Sequence, residues 1–124
     1  ETFHAPPAGY GDFVLLTADR FLHFFAPGAA SFSPAHWAQA LIFFVPTYAL
    51  GGWLCIALCR GDTAFGSGER KVFAAAAGAV LAYALFHGLV QVDFDWRYRL
   101  PILPHLILLA GGGAADLLRR AGVR

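Results

Sequence analysis

The residues best suited to chemistry lie in one short connection between two strongly apolar stretches. Acidic, aromatic and basic side chains alternate there, in the order Asp93, Phe94, Asp95, Trp96, Arg97, Tyr98 and Arg99. Strict alternation predicts an extended backbone, with the charged side chains on one side and the rings on the other. Leu100 precedes a proline, which also disfavours helical geometry. We therefore expect Arg97 and Arg99 to point together, toward water or toward the rest of the protein.

The elements that must position these residues are typical of a membrane protein. The 124 residues are 58% hydrophobic and 14% charged, which is too apolar for a soluble domain of this size. About 20 apolar residues of helix cross a bilayer, and three segments qualify, namely 37–59, 72–92 and 101–118. Two glycine groups, 51–52 and 111–113, either let a neighbouring helix approach closely or are simply tolerated in lipid. Asp116, near the end of the third segment, is expected to be neutralised by Arg119 and Arg120.

Residues 13–25 predict a short helix ahead of the three spans, capped by Asp12. Its polar residues Asp19, Arg20 and His23 group on one side, while Phe and Leu cover the rest. This pattern is typical of an amphipathic helix that lies in the plane of the membrane interface. The sequence therefore predicts an all-α integral membrane protein with three transmembrane helices and an N-terminal interfacial amphipathic helix.

Basic residues set the expected orientation of this protein. They follow the first and third spans, as Arg60, Arg70, Lys71, Arg119, Arg120 and Arg124. Short cytoplasmic loops carry an excess of Lys and Arg, so both regions are expected on the cytoplasmic side. Residues 1–36 then form an extracytoplasmic or interfacial segment, and residues 37–124 form a three-helix transmembrane domain with a cytoplasmic tail. The alternating segment faces the extracytoplasmic side.

Two interpretations of the alternating segment stay open on residue types alone. In the first, the aspartates pair with the arginines, and Phe94, Trp96 and Tyr98 anchor the loop in the interfacial belt that favours amphipathic rings. In the second, Arg97 and Arg99 bind the phosphate of a lipid, because a guanidinium binds phosphate bidentately and stays charged at an interface. The helix that begins here adds the attraction of its N-terminus for anions.

The run AYALFHGLVQVDFDWRYRLPILPHLILLAGGGAADLL, residues 82–118, resembles the late transmembrane region of bacterial type C glycosyltransferases. These are polytopic enzymes of the protein-mannosyltransferase and aminoarabinose-transferase kind. The shared pattern is a helix with a histidine (His87), an extracytoplasmic turn, Arg-Tyr-Arg-x-Pro-x-x-Pro at 97–104, and a Leu/Ala/Gly-rich helix. RFLHFFAP, residues 20–27, is also similar to the family. The resemblance implies the bacterial inner membrane, a polyprenyl-phosphate sugar donor, and contact of Arg97 or Arg99 with the lipid phosphate.

The resemblance does not carry a catalytic residue onto this chain. The family's catalytic acid or base lies in the first extracytoplasmic loop of a much longer protein, and nothing here corresponds to it. The chain begins at Glu1 and contains no methionine, so we expect a processed product or a piece of a longer protein. Transferase activity is expected only within such a longer chain. The alternative is a non-catalytic accessory subunit of a larger membrane complex, respiratory or photosynthetic for example, that contacts lipid and other membrane subunits.

His87 is a separate candidate, because ionisable groups inside a membrane are often functional. A neutral imidazole can ligate haem iron or chlorophyll magnesium, or can hydrogen-bond to a neighbouring helix, which is the commoner role. We expect no cofactor, with haem or chlorophyll at His87 as the alternative. Cys55 and Cys59 match neither a disulfide framework nor a zinc spacing, so no metal site is expected. The net charge of +1 leaves no nucleic-acid footprint.

Overall fold

Helices account for most of the residues that the structure describes. The computed structural model describes residues 7–28, 31–90 and 96–123, and these contain four α-helices and no strand. The α-helices are α1 (Tyr10–Phe24), α2 (Pro34–Arg60), α3 (Ser67–Val90) and α4 (Leu103–Arg120), and a 3-10 helix, Trp96–Ile102, leads directly into α4. Three of the helical stretches, Pro34–Arg60, Ser67–Val90 and Arg99–Arg120, are long and apolar enough to cross a membrane. The prediction of an all-α membrane protein with three spans is confirmed.

The ends of the helices follow from local chemistry. Ser33 precedes α2 and its hydroxyl accepts a hydrogen bond from the His36 backbone N–H at 3.4 Å, so α2 begins three residues before the predicted span. α2 ends at Arg60 and is capped by Gly61, whose φ of 68° is a left-handed conformation that glycine adopts readily. The predicted cap of α1 is wrong. Gly9 occupies the cap position with an extended backbone, and Asp12 lies inside the first turn.

The extended backbone predicted for the alternating segment is wrong from Trp96 onward. Trp96–Ile102 is a 3-10 helix, because this stretch forms the tightened first turns of the third span, where 3-10 geometry is common. Pro101 fits there, since its fixed φ is close to helical and its missing N–H is not needed near a helix start. Asp93, Phe94 and Asp95, which belong to the same prediction, lie outside the described residues. So do the side chains of residues 96–98.

Helices α2 and α4 run parallel and pack closely through small residues. A Cβ on Gly51 would lie 3.5 Å from the Cβ of Leu109, in ordinary contact. A Cβ on Gly112 would come within 2.6 Å of the Phe73 ring, and one on Gly113 would collide with the backbone carbonyl of Leu50. Of the two interpretations of the glycines, close approach of a neighbouring helix therefore applies to Gly51, Gly112 and Gly113. Gly52 and Gly111 have open space beside them.

The core lies between these two helices and α3, and α1 closes it at one end. It consists of the buried apolar side chains Phe24, Leu54, Phe65, Ala76, Val80, Ala84, Ile102, Leu106 and Leu109. Helix α1 packs against the last turns of α3, where a Cβ on Gly88 would lie 3.0 Å from the Thr17 carbonyl oxygen. The Phe24 ring lies 4.9 Å from the His87 ring. This docking brings α1 beside the start of the 3-10 helix.

Candidate functional site

Arg99 is the sequence-predicted site residue that the structure places most clearly. Although charged, it is only 8% exposed. One guanidinium nitrogen donates a hydrogen bond to the carbonyl of Ala26, in the connection after α1. The guanidinium carbon lies 5.3 Å from the centre of the Phe44 ring of α2, in a cation–π arrangement. Arg99 therefore joins α1, α2 and the third span at one point.

A cleft of about 350 Å³ opens beside Arg99. We call it the Arg99 cleft, and its volume is at the lower end of the range of small-molecule sites. Its walls come from the first half of α2, the connection before it, and the start of the third span. They are mostly apolar, with side chains that include Phe32, Ala40, Phe43, Phe44, Leu100 and Leu103. His36, Gln39 and Arg99 are the polar side chains in the lining, and the His36 ring lies 2.9 Å from the Ser33 hydroxyl.

The position of the cleft along the bundle follows from helix length. Ala40 lies 20 residues before Arg60, and Leu100 lies 20 residues before Arg120. Twenty residues of α-helix rise about 30 Å, which is the thickness of the hydrocarbon core of a bilayer. If the arginine ends of α2 and α4 mark one boundary of an apolar layer, the Arg99 cleft lies at the other. An arginine at that depth would lie at the level of the lipid headgroups.

Two more basic side chains lie at the contact between α1 and α3. His87 of α3 is 3% exposed, and its ring packs against the Phe24 ring of α1. Arg20 belongs to α1, and its Nε is buried and forms no hydrogen bond with any residue that the structure describes.

The burial of Arg20 was not predicted from the sequence, where this residue was grouped with Asp19 and His23 on the polar side of α1. In the structure Asp19 and His23 lie together, with His23 Nδ1 3.3 Å from an Asp19 carboxylate oxygen. Thr17 and Phe24 lie on the face of α1 that packs against α3, and the Nε of Arg20 is buried. Positions 17, 20 and 24 have the spacing of one helix face. This spacing could have indicated from the sequence that Arg20 lies on the same face as Thr17 and Phe24.

A second polar cluster lies at the opposite end of the bundle, around Asp116, which has no exposed surface. The Asp116 carboxylate accepts hydrogen bonds from the Ala64 backbone N–H at 2.6 Å, from Trp53 Nε1 at 3.1 Å and from Arg120 Nε at 2.7 Å. Arg120 also pairs with the Asp62 carboxylate at 3.1 Å and donates to the Asp62 carbonyl. We call this arrangement the Asp116 clasp. It ties the connection between α2 and α3 to α4.

The prediction that Arg119 neutralises Asp116 is wrong. Its guanidinium pairs with Glu69 of α3 at 3.2 Å and lies 4.5 Å from the centre of the Phe65 ring. Glu69 in turn accepts a hydrogen bond from the Gly66 backbone N–H at 2.9 Å. The polar groups at this end are thus used to hold the bundle together, which makes the Asp116 clasp a structural feature rather than a ligand site.

The other sequence-predicted site residues stay predictions. The backbones of Trp96, Arg97 and Tyr98 lie in the 3-10 helix, but their side chains are outside the described part of the chain, as is all of Phe94. The His87 ring packs against Phe24 of α1, and haem or chlorophyll at His87 stays a prediction. In the described residues, no group of three or more His, Cys, Asp or Glu side chains is placed to hold a metal ion.

The fold and the cleft together define an all-α membrane protein with three spans and a lateral cleft that ends at a buried arginine. Helix length and apolarity establish the membrane class. Comparison of the chain with known protein families, curated proteins and solved structures finds no match. Function is therefore inferred from the residues of the cleft itself.

Proposed function

We propose that this chain is a lipid-binding module of the bacterial inner membrane. It holds the phosphate of a polyprenyl-phosphate lipid on Arg99 and the adjoining part of the apolar chain in the Arg99 cleft. One observation carries the proposal: a permanently charged guanidinium, almost fully buried, lines a cleft whose walls are mostly apolar. A ligand that fits both features has an anionic head directly attached to an apolar chain.

The electrostatics of Arg99 support an anionic ligand. Burial of a charge is unfavourable unless an opposite charge or several hydrogen bonds compensate it. Within the described residues, the groups around Arg99 are neutral, namely the Ala26 carbonyl, the Phe44 ring and the nearby Tyr48 hydroxyl, and no carboxylate lies within ion-pair distance. A guanidinium has five N–H donors, and the Ala26 carbonyl uses one nitrogen. A phosphate group would supply the missing charge and accept two parallel hydrogen bonds.

The resemblance to type C glycosyltransferases supports the class of lipid. Its Arg-Tyr-Arg-x-Pro core contains Arg99, and we propose Arg97 as the neighbouring phosphate ligand. The basic ends of α2, α3 and α4 support an orientation with the C-terminus in the cytoplasm and the Arg99 cleft on the extracytoplasmic side. Sugar transfer would require a catalytic loop supplied by a longer chain. In this proposal the residues described here bind the donor phosphate and do not perform chemistry.

Binding of a short polyprenyl phosphate tests the proposal directly. The purified chain in mild detergent is titrated with farnesyl phosphate and, separately, with farnesol, and binding is followed by native mass spectrometry. We expect farnesyl phosphate to bind more tightly, and we expect Arg99→Gln to weaken it about tenfold or more, because a hydrogen-bonded charge pair is lost. Arg99→Lys keeps the charge but loses the bidentate geometry, so it should retain part of the affinity.

Two further variants separate the head site from the chain site. Arg60→Gln removes an exposed positive charge at the opposite end of α2 and should leave binding unchanged. Ala40→Phe fills the cleft without changing charge and should weaken both ligands. If Arg99→Gln folds with normal helicity and still binds farnesyl phosphate as tightly as the unchanged chain, the proposal is wrong. Arg99 would then be an anchor between helices, as expected for an accessory subunit.

A further inference from the structure

We propose that His36 and Gln39 of α2 bind the second substituent of the lipid phosphate, and that this substituent is neutral and rich in hydroxyl groups. The inference rests on the proposed function at Arg99, and it names the class of phosphodiester that the Arg99 cleft accepts. A sugar and glycerol share the required chemistry. His36 and Gln39, together with Arg99, are the polar side chains that line the cleft.

The cleft face of α2 changes from polar to apolar along the helix. His36, Gln39, Ala40 and Phe43 have the spacing of one helix face, and all four line the cleft. Ala40 lies at the outer boundary that helix length gives. At a rise of about 1.5 Å per residue, His36 lies about 6 Å outside that boundary, and its side chain leans further outward, toward the N-terminus of α2. The polar groups therefore lie at the headgroup level, and Ala40 and Phe43 face the apolar chain of the lipid.

Ser33 orients the His36 ring. The Ser33 hydroxyl oxygen accepts a hydrogen bond from the His36 backbone N–H at 3.4 Å, and it lies 2.9 Å from Nδ1 of the His36 ring. The hydroxyl hydrogen is thus available to Nδ1, and a neutral ring then carries its own hydrogen on Nε2. Gln39 adds an amide that donates two hydrogen bonds and accepts at its oxygen. Side chains three residues apart on a helix lie about 5–6 Å apart at Cβ, so both can bind hydroxyl groups of one substituent.

The charges of the cleft favour a neutral substituent. Among the described residues that line the cleft, Arg99 is the only permanently charged side chain, and a phosphodiester carries a single negative charge. An ammonium group on the substituent would be repelled by Arg99 and would find no carboxylate in the described lining. A hydroxyl group requires only a hydrogen-bond partner, which His36 and Gln39 supply.

Competition among farnesyl phosphodiesters that differ in the second substituent tests the inference. The full chain in mild detergent is offered the glycerol, glucose, ethanolamine and methyl diesters, and bound lipid is counted by native mass spectrometry. We expect the glycerol or the glucose diester to bind about tenfold more tightly than the methyl diester, as two additional hydrogen bonds imply. The ethanolamine diester should show no such gain. A gain for glucose alone supports a sugar as the substituent, and a gain for glycerol alone supports a glycerophosphate headgroup.

The double variant His36→Phe with Gln39→Leu removes the hydrogen-bonding groups and keeps the approximate size of both side chains. It should abolish the gain, so that the four diesters bind alike. The single variant His36→Gln keeps a donor near the position of Nε2 and should retain part of the gain. His23→Phe is the matched control, because His23 lies beside Asp19 on α1 and outside the cleft lining. This variant should keep the full gain.

The outcomes separate this inference from the proposed function. If the unchanged chain binds the glycerol, glucose and methyl diesters equally, or if the ethanolamine diester gains as much as the others, the inference is overturned. It is also overturned if the double variant folds with normal helicity and keeps the gain. In each of these cases, loss of every diester in Arg99→Gln still supports the site at Arg99. If Arg99→Gln binds all four diesters normally, the proposed function itself fails.

Discussion

Substitution of Asp116 by alanine tests the account of what holds the bundle together. The Asp116 carboxylate is fully buried and accepts three hydrogen bonds, from α2, from the connection after it and from α4. Alanine removes all three and leaves the Nε of Arg120 without its buried partner. Breaking a buried ion pair by removing one partner costs about 3–5 kcal/mol.

The lower end of that range is expected for Asp116→Ala, a loss of about 3 kcal/mol in the free energy of unfolding. Arg120 keeps its bonds to Asp62, and water at the end of the bundle can reach the N–H groups of Ala64 and Trp53. Asp116→Asn should lose less, because its amide oxygen can replace Oδ2, which accepts from both Trp53 and Arg120, while the amide NH₂ then faces the Ala64 N–H. The unchanged chain should be the most stable, followed by Asp116→Asn and then by Asp116→Ala.

The assay is reversible unfolding in mixed micelles. The fraction of dodecyl sulfate is increased, and the loss of structure is followed by far-ultraviolet circular dichroism and tryptophan fluorescence. Asp62→Ala is the matched control, since the Asp62 side chain is 74% exposed and its carbonyl bond to Arg120 survives the substitution. Exposed ion pairs contribute little, so this variant should unfold close to the unchanged chain. Equal stability of Asp116→Ala and Asp62→Ala would refute the reasoning.

Two further predictions concern glycines at helix contacts. Gly113→Ala should destabilise the protein by about 2 kcal/mol because the added methyl group collides with the α2 backbone at Leu50, whereas Gly111→Ala, which meets no neighbour, should be near neutral in the same unfolding assay. Gly88→Leu should push α1 off α3 and make residues 10–24 sensitive to limited proteolysis while total helicity changes little. Gly78→Leu, which adds its side chain in open space, should leave α1 protected, and equal sensitivity of the two variants would contradict the docking described here.

Some of the candidate site was accessible from sequence and some was not. Arg99 was identified from its residue type and its place before a proline-led helix. The burial of Arg20 was not predicted, because its environment depends on which side of α1 docks against α3. The alternating pattern also led to a wrong prediction of an extended backbone. Seven residues are too few to distinguish the two-residue period of a strand from the three-residue turn of a 3-10 helix. The pairing of Arg119 with Glu69 rather than Asp116 likewise depends on how α3 packs against α4.

The sequence by itself determined the membrane class, the number of spans and their approximate limits. Those properties belong to contiguous residues, because a bilayer acts as solvent on each apolar segment separately and requires a fixed length of helix. Only the tertiary structure decided that Arg99 is buried beside an apolar cleft and that Asp116 is fully enclosed. Each of these results depends on groups more than 50 residues apart in the chain, such as Arg99 and Ala26 or Asp116 and Ala64. Their meeting is set by close packing of the helices, which local sequence patterns do not encode.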